Sequence, residues 1–151
     1  MNRGGFNFKD DGTSVNDPRT DLTWLRNANV FGKQMCWNSA MTEIAKMNLD
    51  RYAGLTGWRL PDIKDLKVIS MYGVKANSDN DEKYILSEYF NDLGFNNVMP
   101  GWYWSSTPYS GLPNSDPDKY KLAISMNEPL DGDDPFEVTD KCYVWPVCDE
   151  T

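Results

Sequence analysis

Apolar residues recur along this chain in short separate bursts, and the spacing within each burst predicts an element. Phe8-Lys9-Asp10-Asp11-Gly12-Thr13-Ser14-Val15-Asn16-Asp17 places an Asp-Gly step between two arms, the pattern of a β-hairpin. Asp17-Pro18-Arg19-Thr20 reads as a second turn, and Leu22-Thr23-Trp24-Leu25 as a short strand. From about Lys33 to Asn48 the period lengthens. Trp37, Met41 and Ile44 fall at i, i+4 and i+7, with Ala40 and Ala45 beside them, which predicts one apolar helical stripe. Gly54 and Gly57 punctuate its exit. A second helix is expected from Asp62, whose carboxylate can accept the N–H groups of a first turn, with Asp65 adding negative charge there. Ile63, Leu66 and Ile69 form its predicted inner stripe, and Gly73 its stop.

The stretch from Lys75 to Pro100 is polar and Asn/Asp-rich, with a short helix expected around Tyr84 to Leu93. Trp102 to Thr107 and Tyr120 to Ile124 read as strands around a Pro/Gly/Ser/Asp loop, Pro108 to Lys119. An acidic loop, Glu128 to Asp134, leads toward a last strand at Cys142 to Val147. The expected class is α+β: two main helices packed on a small, mostly antiparallel sheet with long loops. At 151 residues the chain suits one domain, 1–151, with one hydrophobic core.

Composition sharpens this in three ways. Aromatics reach 13% with six Trp, so rings supply much of the core. The formal net charge of -8 repels nucleic acid and acidic membrane surfaces at long range, so neither is an expected partner. The chain has no His, which excludes Ser-His-Asp and Cys-His catalysis and any histidine-bearing zinc site. Ser105, Ser106 and Thr107 therefore read as strand hydroxyls that satisfy backbone groups rather than as nucleophiles. No apolar run approaches the roughly 20 residues of a membrane helix. The first residues, Met1 to Phe6, hold no hydrophobic signal region, so a leader is expected to be absent from this sequence or not needed.

Cys36, Cys142 and Cys148 leave two readings open, buried thiols or one bridge from Cys36 to either of the others. If Tyr143 to Val147 is extended, its ends lie roughly 20 Å apart, and a disulfide needs Cα atoms within about 7 Å. Calcium is the ion to test. Asn77-Ser78-Asp79-Asn80-Asp81 alternates oxygen donors, but Glu82 stands where an EF-hand loop needs glycine. Glu128-Pro129-Leu130 is similar to the Glu-Pro-Asn element of calcium lectins, yet Leu130 cannot ligate. Asp131, Asp133 and Asp134 read as a solvated acidic loop. No metal and no cofactor is assigned.

Three ordered segments carry a resemblance: Asp11-Gly12-Thr13 to Asp17 with Arg19-Thr20-Asp21-Leu22-Thr23-Trp24; Gly54-Leu55-Thr56-Gly57-Trp58-Arg59-Leu60-Pro61 with Leu66; and Tyr103-Trp104-Ser105-Ser106-Thr107. With Trp37-Asn38-Ser39-Ala40 and Tyr143-Val144-Trp145-Pro146-Val147, they resemble the C-terminal domain family of the Legionella collagen-like adhesin over roughly Phe8 to Val147. The resemblance implies a fold similar to C-type lectins and the formylglycine-generating enzyme, and trimers are implied for the collagen-linked relatives. That family's namesake binds sulfated glycosaminoglycans. Here Trp145 replaces a basic residue common in the last strand, and no dense Lys/Arg cluster appears in the sequence. Arg59 reads as a structural ion-pair or carbonyl-binding residue, and the tryptophans as core.

The expected function is a non-enzymatic binding or adhesion domain for carbohydrate or a cell-surface receptor, outside the cell, at its surface or on a virion. A phage or diversity-generating variable protein is the related version. Long polar loops rich in Tyr, Asn, Ser, Asp and Gly adapt to partners while a scaffold stays rigid. The contact residues expected are Tyr109, Asn114, Asp116, Asp118 and Tyr120 of the loop from Pro108 to Tyr120, with Tyr103 behind them. The alternative is an enzyme: a carboxylate-dependent carbohydrate enzyme, or a cysteine-dependent oxidase related to formylglycine-generating enzymes.

Overall fold

In the computed structural model, which describes residues 2–78, 85–111, 116, 118–127 and 132–149, the first apolar bursts become an antiparallel ribbon. Strands β1 (Asn2–Arg3), β2 (Phe6–Phe8), β3 (Ser14–Asp17) and β4 (Leu22–Leu25) pair in sequence order. Asp11 and Gly12 sit in the turn between β2 and β3, as the Asp-Gly step predicts. Gly12 has φ of 76°, where a side chain would be strained. The Asp11 carboxylate accepts the Thr13 N–H at 3.0 Å and its hydroxyl at 2.7 Å, bonds that hold its pKa below the ordinary value. β4 also pairs with β9 (Val147–Cys148), and β9 with β5 (Trp58–Arg59). The six-stranded sheet thus joins both ends of the chain.

Helix α1 (Trp37–Leu49) begins four residues later than expected, because Met35 is spent on a β-bridge with Cys142. Its buried face is Ala40, Ile44 and Met47; Met41, assigned to the inner stripe from the sequence, is 40% exposed. Helix α2 (Ile63–Ser78) starts where predicted. The Asp65 N–H donates to the Asp62 carboxylate at 2.7 Å and the Asp62 N–H to the Asp65 carboxylate at 3.0 Å, so the two acids cap the first turn reciprocally. Leu66 and Ile69 face the core. Gly73 is not a stop. The helix runs through it, and a Cβ there would lie 2.6 Å from Leu86 Cδ2, so glycine lets α3 (Leu86–Leu93) pack close.

The second sheet has the order β6 (Trp102–Pro108), β7 (Tyr120–Ser125) and β8 (Asp133–Glu137), all antiparallel. The sequence reading ran an acidic loop to Asp134 and expected no strand over β8; Asp133, Asp134 and Pro135 are poor strand formers, and Pro135 is tolerated because β8 is an edge. The expected last strand is broken up. Cys142 bridges Met35, Tyr143 bridges Tyr103, and regular pairing resumes only at Val147 after Pro146, which has no N–H to give. The fold is α+β with two antiparallel sheets.

Trp145 occupies the middle of the core, its ring centroid 4.9 Å from Trp24, 5.4 Å from Phe95, 5.9 Å from Tyr103 and 6.0 Å from Phe90. Three buried indole N–H groups find a carbonyl: Trp145 to Leu25 at 2.8 Å, Trp104 to Met35 at 2.7 Å, Trp58 to Tyr52 at 2.8 Å. Such handles fix ring orientation as well as burying area. No helix among the described residues is long and apolar enough to cross a membrane.

Candidate functional site

The ordered motif residues turn inward and hold the frame. The Asp17 carboxylate is buried at the start of the β3–β4 turn. It accepts the Arg19 N–H at 3.1 Å, Arg19 Nε at 2.8 Å, the Tyr72 hydroxyl at 2.9 Å and the Thr20 hydroxyl at 3.3 Å. The Arg19 guanidinium lies 3.7 Å from the Tyr72 ring centroid and 4.7 Å from that of Phe6, stacking against both rings. One turn is thereby bolted to α2. Burial, helped by the bond to Asp17, pushes the Tyr72 phenol up to about 12.

Arg59 is a structural clamp, as expected. It donates to Asp149 at 2.9 and 3.0 Å, to Asp65 at 2.9 Å and to the Leu60 carbonyl at 3.2 Å, tying β5, the α2 N-terminus and the end of β9 together. These bonds raise the Arg59 pKa and lower that of Asp149. The Ser105-Ser106-Thr107 run lies where β6 slips register against β7. Ser105 Oγ donates to the Leu122 carbonyl at 2.6 Å, Ser106 N–H to the Pro61 carbonyl at 2.9 Å, and Thr107 Oγ1 accepts the Ile63 N–H at 2.9 Å. The Ser105 and Thr107 hydroxyls serve backbone groups, as the sequence reading holds.

The outward region is the crest where β6 passes into β7. Tyr109 N–H donates to the Tyr120 carbonyl at 3.0 Å and closes the base of the loop. Beyond it Asp116 and Asp118 are exposed, and Asp116 Oδ1 accepts the Asp118 N–H at 2.9 Å. Lys119 Nζ lies 5.6 Å from the Tyr120 ring centroid, and the Tyr120 hydroxyl donates to Glu137 Oε1 at 3.4 Å. Tyr109 and Tyr120 are half-buried at the base of the loop. Four of the six expected contact residues therefore share this crest. Asn114 lies outside the described residues. Tyr103 is corrected: it is fully enclosed, its hydroxyl donating to the Ala28 carbonyl and accepting the Met99 N–H, each at 2.9 Å, so it supports the core and has no surface for a ligand. The sequence reading did not include Lys119 or Glu137 among the contact residues, and it gave no element at Glu137, which β8 sets beside Tyr120.

The three cysteines form no disulfide. Cys36 is half-buried beside the α1 N-terminus, where a 3.2 Å contact with the Ser39 hydroxyl lowers its pKa. Burial pushes Cys142 up to about 12, and Cys148 is also buried. Among the acidic candidates, Asp133 lies 3.4 Å from Lys67 Nζ, and Asp134 follows it on a strand, facing the opposite way. Asp131, Glu128 to Leu130 and Asp79 to Glu82 lie outside the described residues. Among the described residues no three acidic or thiol side chains gather as a metal site requires.

No curated protein matches this chain. Residues 13–148 match the Lcl C-terminal domain, a span that contains the Asp17 turn, the Arg59 clamp, the Ser105 to Thr107 run and the central Trp145. The chain belongs to the Lcl C-terminal domain family.

Proposed function

We propose that this chain is a non-enzymatic recognition domain with a C-type-lectin-like scaffold. It binds carbohydrate or a cell-surface receptor through the β6–β7 crest, and it is displayed outside the cell, at its surface or on a virion. Membership of an adhesin-associated family supports the general role. The observation that carries the assignment to the crest is the contrast along one hairpin. Its stem is buried through Tyr103, Trp104 and Ala123, while its tip presents Tyr109, Tyr120, Asp116 and Asp118 on a closed base. Tyrosine on a rigid stem offers contact area at small entropic cost, and the carboxylates accept sugar hydroxyls or receptor N–H groups.

A glycan array and a cell-binding assay, each with and without calcium, test this with the wild type and a Tyr109→Ala/Tyr120→Ala double variant. The reading predicts a wild-type ligand whose binding the double variant loses; undiminished binding by the variant contradicts it. The oxidase alternative needs a reactive C-terminal thiol, and burial of Cys142 and Cys148 speaks against one. Thiol labelling of the native chain should modify Cys36 first. Rapid labelling of Cys142 or Cys148 would favour the oxidase.

A further inference from the structure

We propose that the chain carries a second binding site at the other end of β6 from the crest: a shallow dish of asparagine amides that takes one neutral sugar residue. Asn27, from the loop after β4, forms one side of the dish, and Asn91, Asn96 and Asn97, from α3 and the loop after it, form the other. Its volume is about 570 Å³, inside the range of roughly 300–1,000 Å³ that small-molecule sites occupy. Phe95 and Val98, each 2% exposed, close the floor, and half-buried Met99 completes the lining. None of these lining residues is ionisable, in a chain whose residues are 25% charged.

Hydrogen bonds fix the shape of this dish. Asn27 and Asn96 pair across a parallel β-bridge, where the Ala28 N–H donates to the Asn96 carbonyl and the Asn96 N–H to the Arg26 carbonyl, each at 2.8 Å. Asn91 clamps the loop: its Nδ2 donates to the Val98 carbonyl at 3.0 Å, and its Oδ1 accepts the Val98 N–H at 2.9 Å. Asn97 has φ of 56°, in the left-handed region that asparagine tolerates better than most residues. Its Nδ2 donates to Asn27 Oδ1 at 3.2 Å, and the same oxygen accepts the Asn29 N–H at 3.0 Å. Asn91 is thus spent on the frame. Among the described residues, the Asn96 amide, Asn27 Nδ2 and Asn97 Oδ1 meet no hydrogen-bond partner.

The open groups are donors on Asn27, an acceptor on Asn97 and both on Asn96. A sugar hydroxyl is donor and acceptor at once, so neighbouring hydroxyls of one ring can answer all of them. An acid or an amine would find no opposite charge in the lining to replace its lost hydration. The Met99 thioether offers a soft apolar contact for the C–H face of the ring. β6 starts at Trp102, just after the loop that ends the dish, and reaches Pro108 about 20 Å further on at 3.3 Å per residue. The dish shares no residue with the crest and does not depend on it.

The test is titration of the full chain with the methyl glycosides of glucose, galactose and mannose, and with glucuronate and glucosamine, in separate arms at constant ionic strength. NMR shifts of backbone and side-chain amides give the readout. The dish predicts saturable shifts at Asn27, Asn96 and Asn97 with at least one neutral glycoside, and weaker binding there of the acid and the amine. Asn96→Ala should weaken that binding about tenfold, as loss of two neutral hydrogen bonds does. Asn96 is exposed and its amide bonds nothing among the described residues, so the variant should fold as the wild type does. The Tyr109→Ala/Tyr120→Ala variant should keep the shifts at the dish, so dish and crest can fail separately. Three results would overturn the proposal: linear, unsaturated shifts with all three glycosides, tighter binding of glucuronate or glucosamine than of any neutral glycoside, or unchanged affinity in Asn96→Ala. Loss of the shifts in the crest variant would overturn it as well.

Discussion

Asp17 and Asp118 carry the same carboxylate at opposite ends of what this fold does with polar chemistry. Asp17 is 1% exposed and satisfied by Arg19, Thr20 and Tyr72, each of which also packs or bonds elsewhere. Asp118 is exposed at the crest, where its N–H closes a local turn on Asp116. Among the tyrosines, Tyr103 is fully enclosed with its hydroxyl bonded to the Ala28 carbonyl, whereas Tyr109 and Tyr120 are half-buried at the crest. What separates the frame from the proposed recognition surface is therefore the surroundings of a residue and not its type. Changes to the first region should cost stability, and changes to the second should cost binding.

The core should respond most strongly. Trp145→Ala removes a ring in contact with four others and leaves the Leu25 carbonyl without its donor; it should destabilise the fold by about 4–5 kcal/mol in urea unfolding. Next comes Asp17→Ala, which strips the partner from Arg19, Thr20 and the Tyr72 hydroxyl together and should cost about 3 kcal/mol by the same measurement. A loss below about 1 kcal/mol would mean the node is not structural. Thr107→Val deletes the hydroxyl that accepts the Ile63 N–H at the α2 start and should cost about 1 kcal/mol.

A smaller effect comes from pH. The Tyr72 phenol is raised from its ordinary value of 10 to about 12 in the fold, so the fold favours its protonated form. Its contribution is complete below pH 10 and is lost as pH rises toward 12. Thermal unfolding should show stability declining across that window, with a shallower decline in Tyr72→Phe. An identical slope in the variant would assign the alkaline loss to other tyrosines.

Much of the frame was legible because local chemistry and tertiary use agree. Asp62 and Asp65 lie three apart before an apolar stripe, the spacing a capped helix needs, and α2 begins there. Gly73 was misread because a glycine that ends a helix and a glycine that admits a neighbouring helix look alike until Leu86 is seen against it. β8 escaped notice because Asp133 to Pro135 are poor strand formers, and only pairing with Tyr120 to Ile124 makes them one. The tryptophan core was readable from ring count, but Tyr103 was placed with the contact residues. β6 is covered on both faces at that point, so alternation along the strand gives no sign of which tyrosine faces water.

The proposed division of labour sets a motif-built frame against a recognising crest. Deletion of Asn114 to Asp118, read by melting temperature and by binding to whichever glycan or cell surface the wild type selects, probes that division. The melting temperature should stay within a few degrees of the wild type, and binding should be abolished. Retained binding, or a cooperative transition lost with the loop, would refute the division.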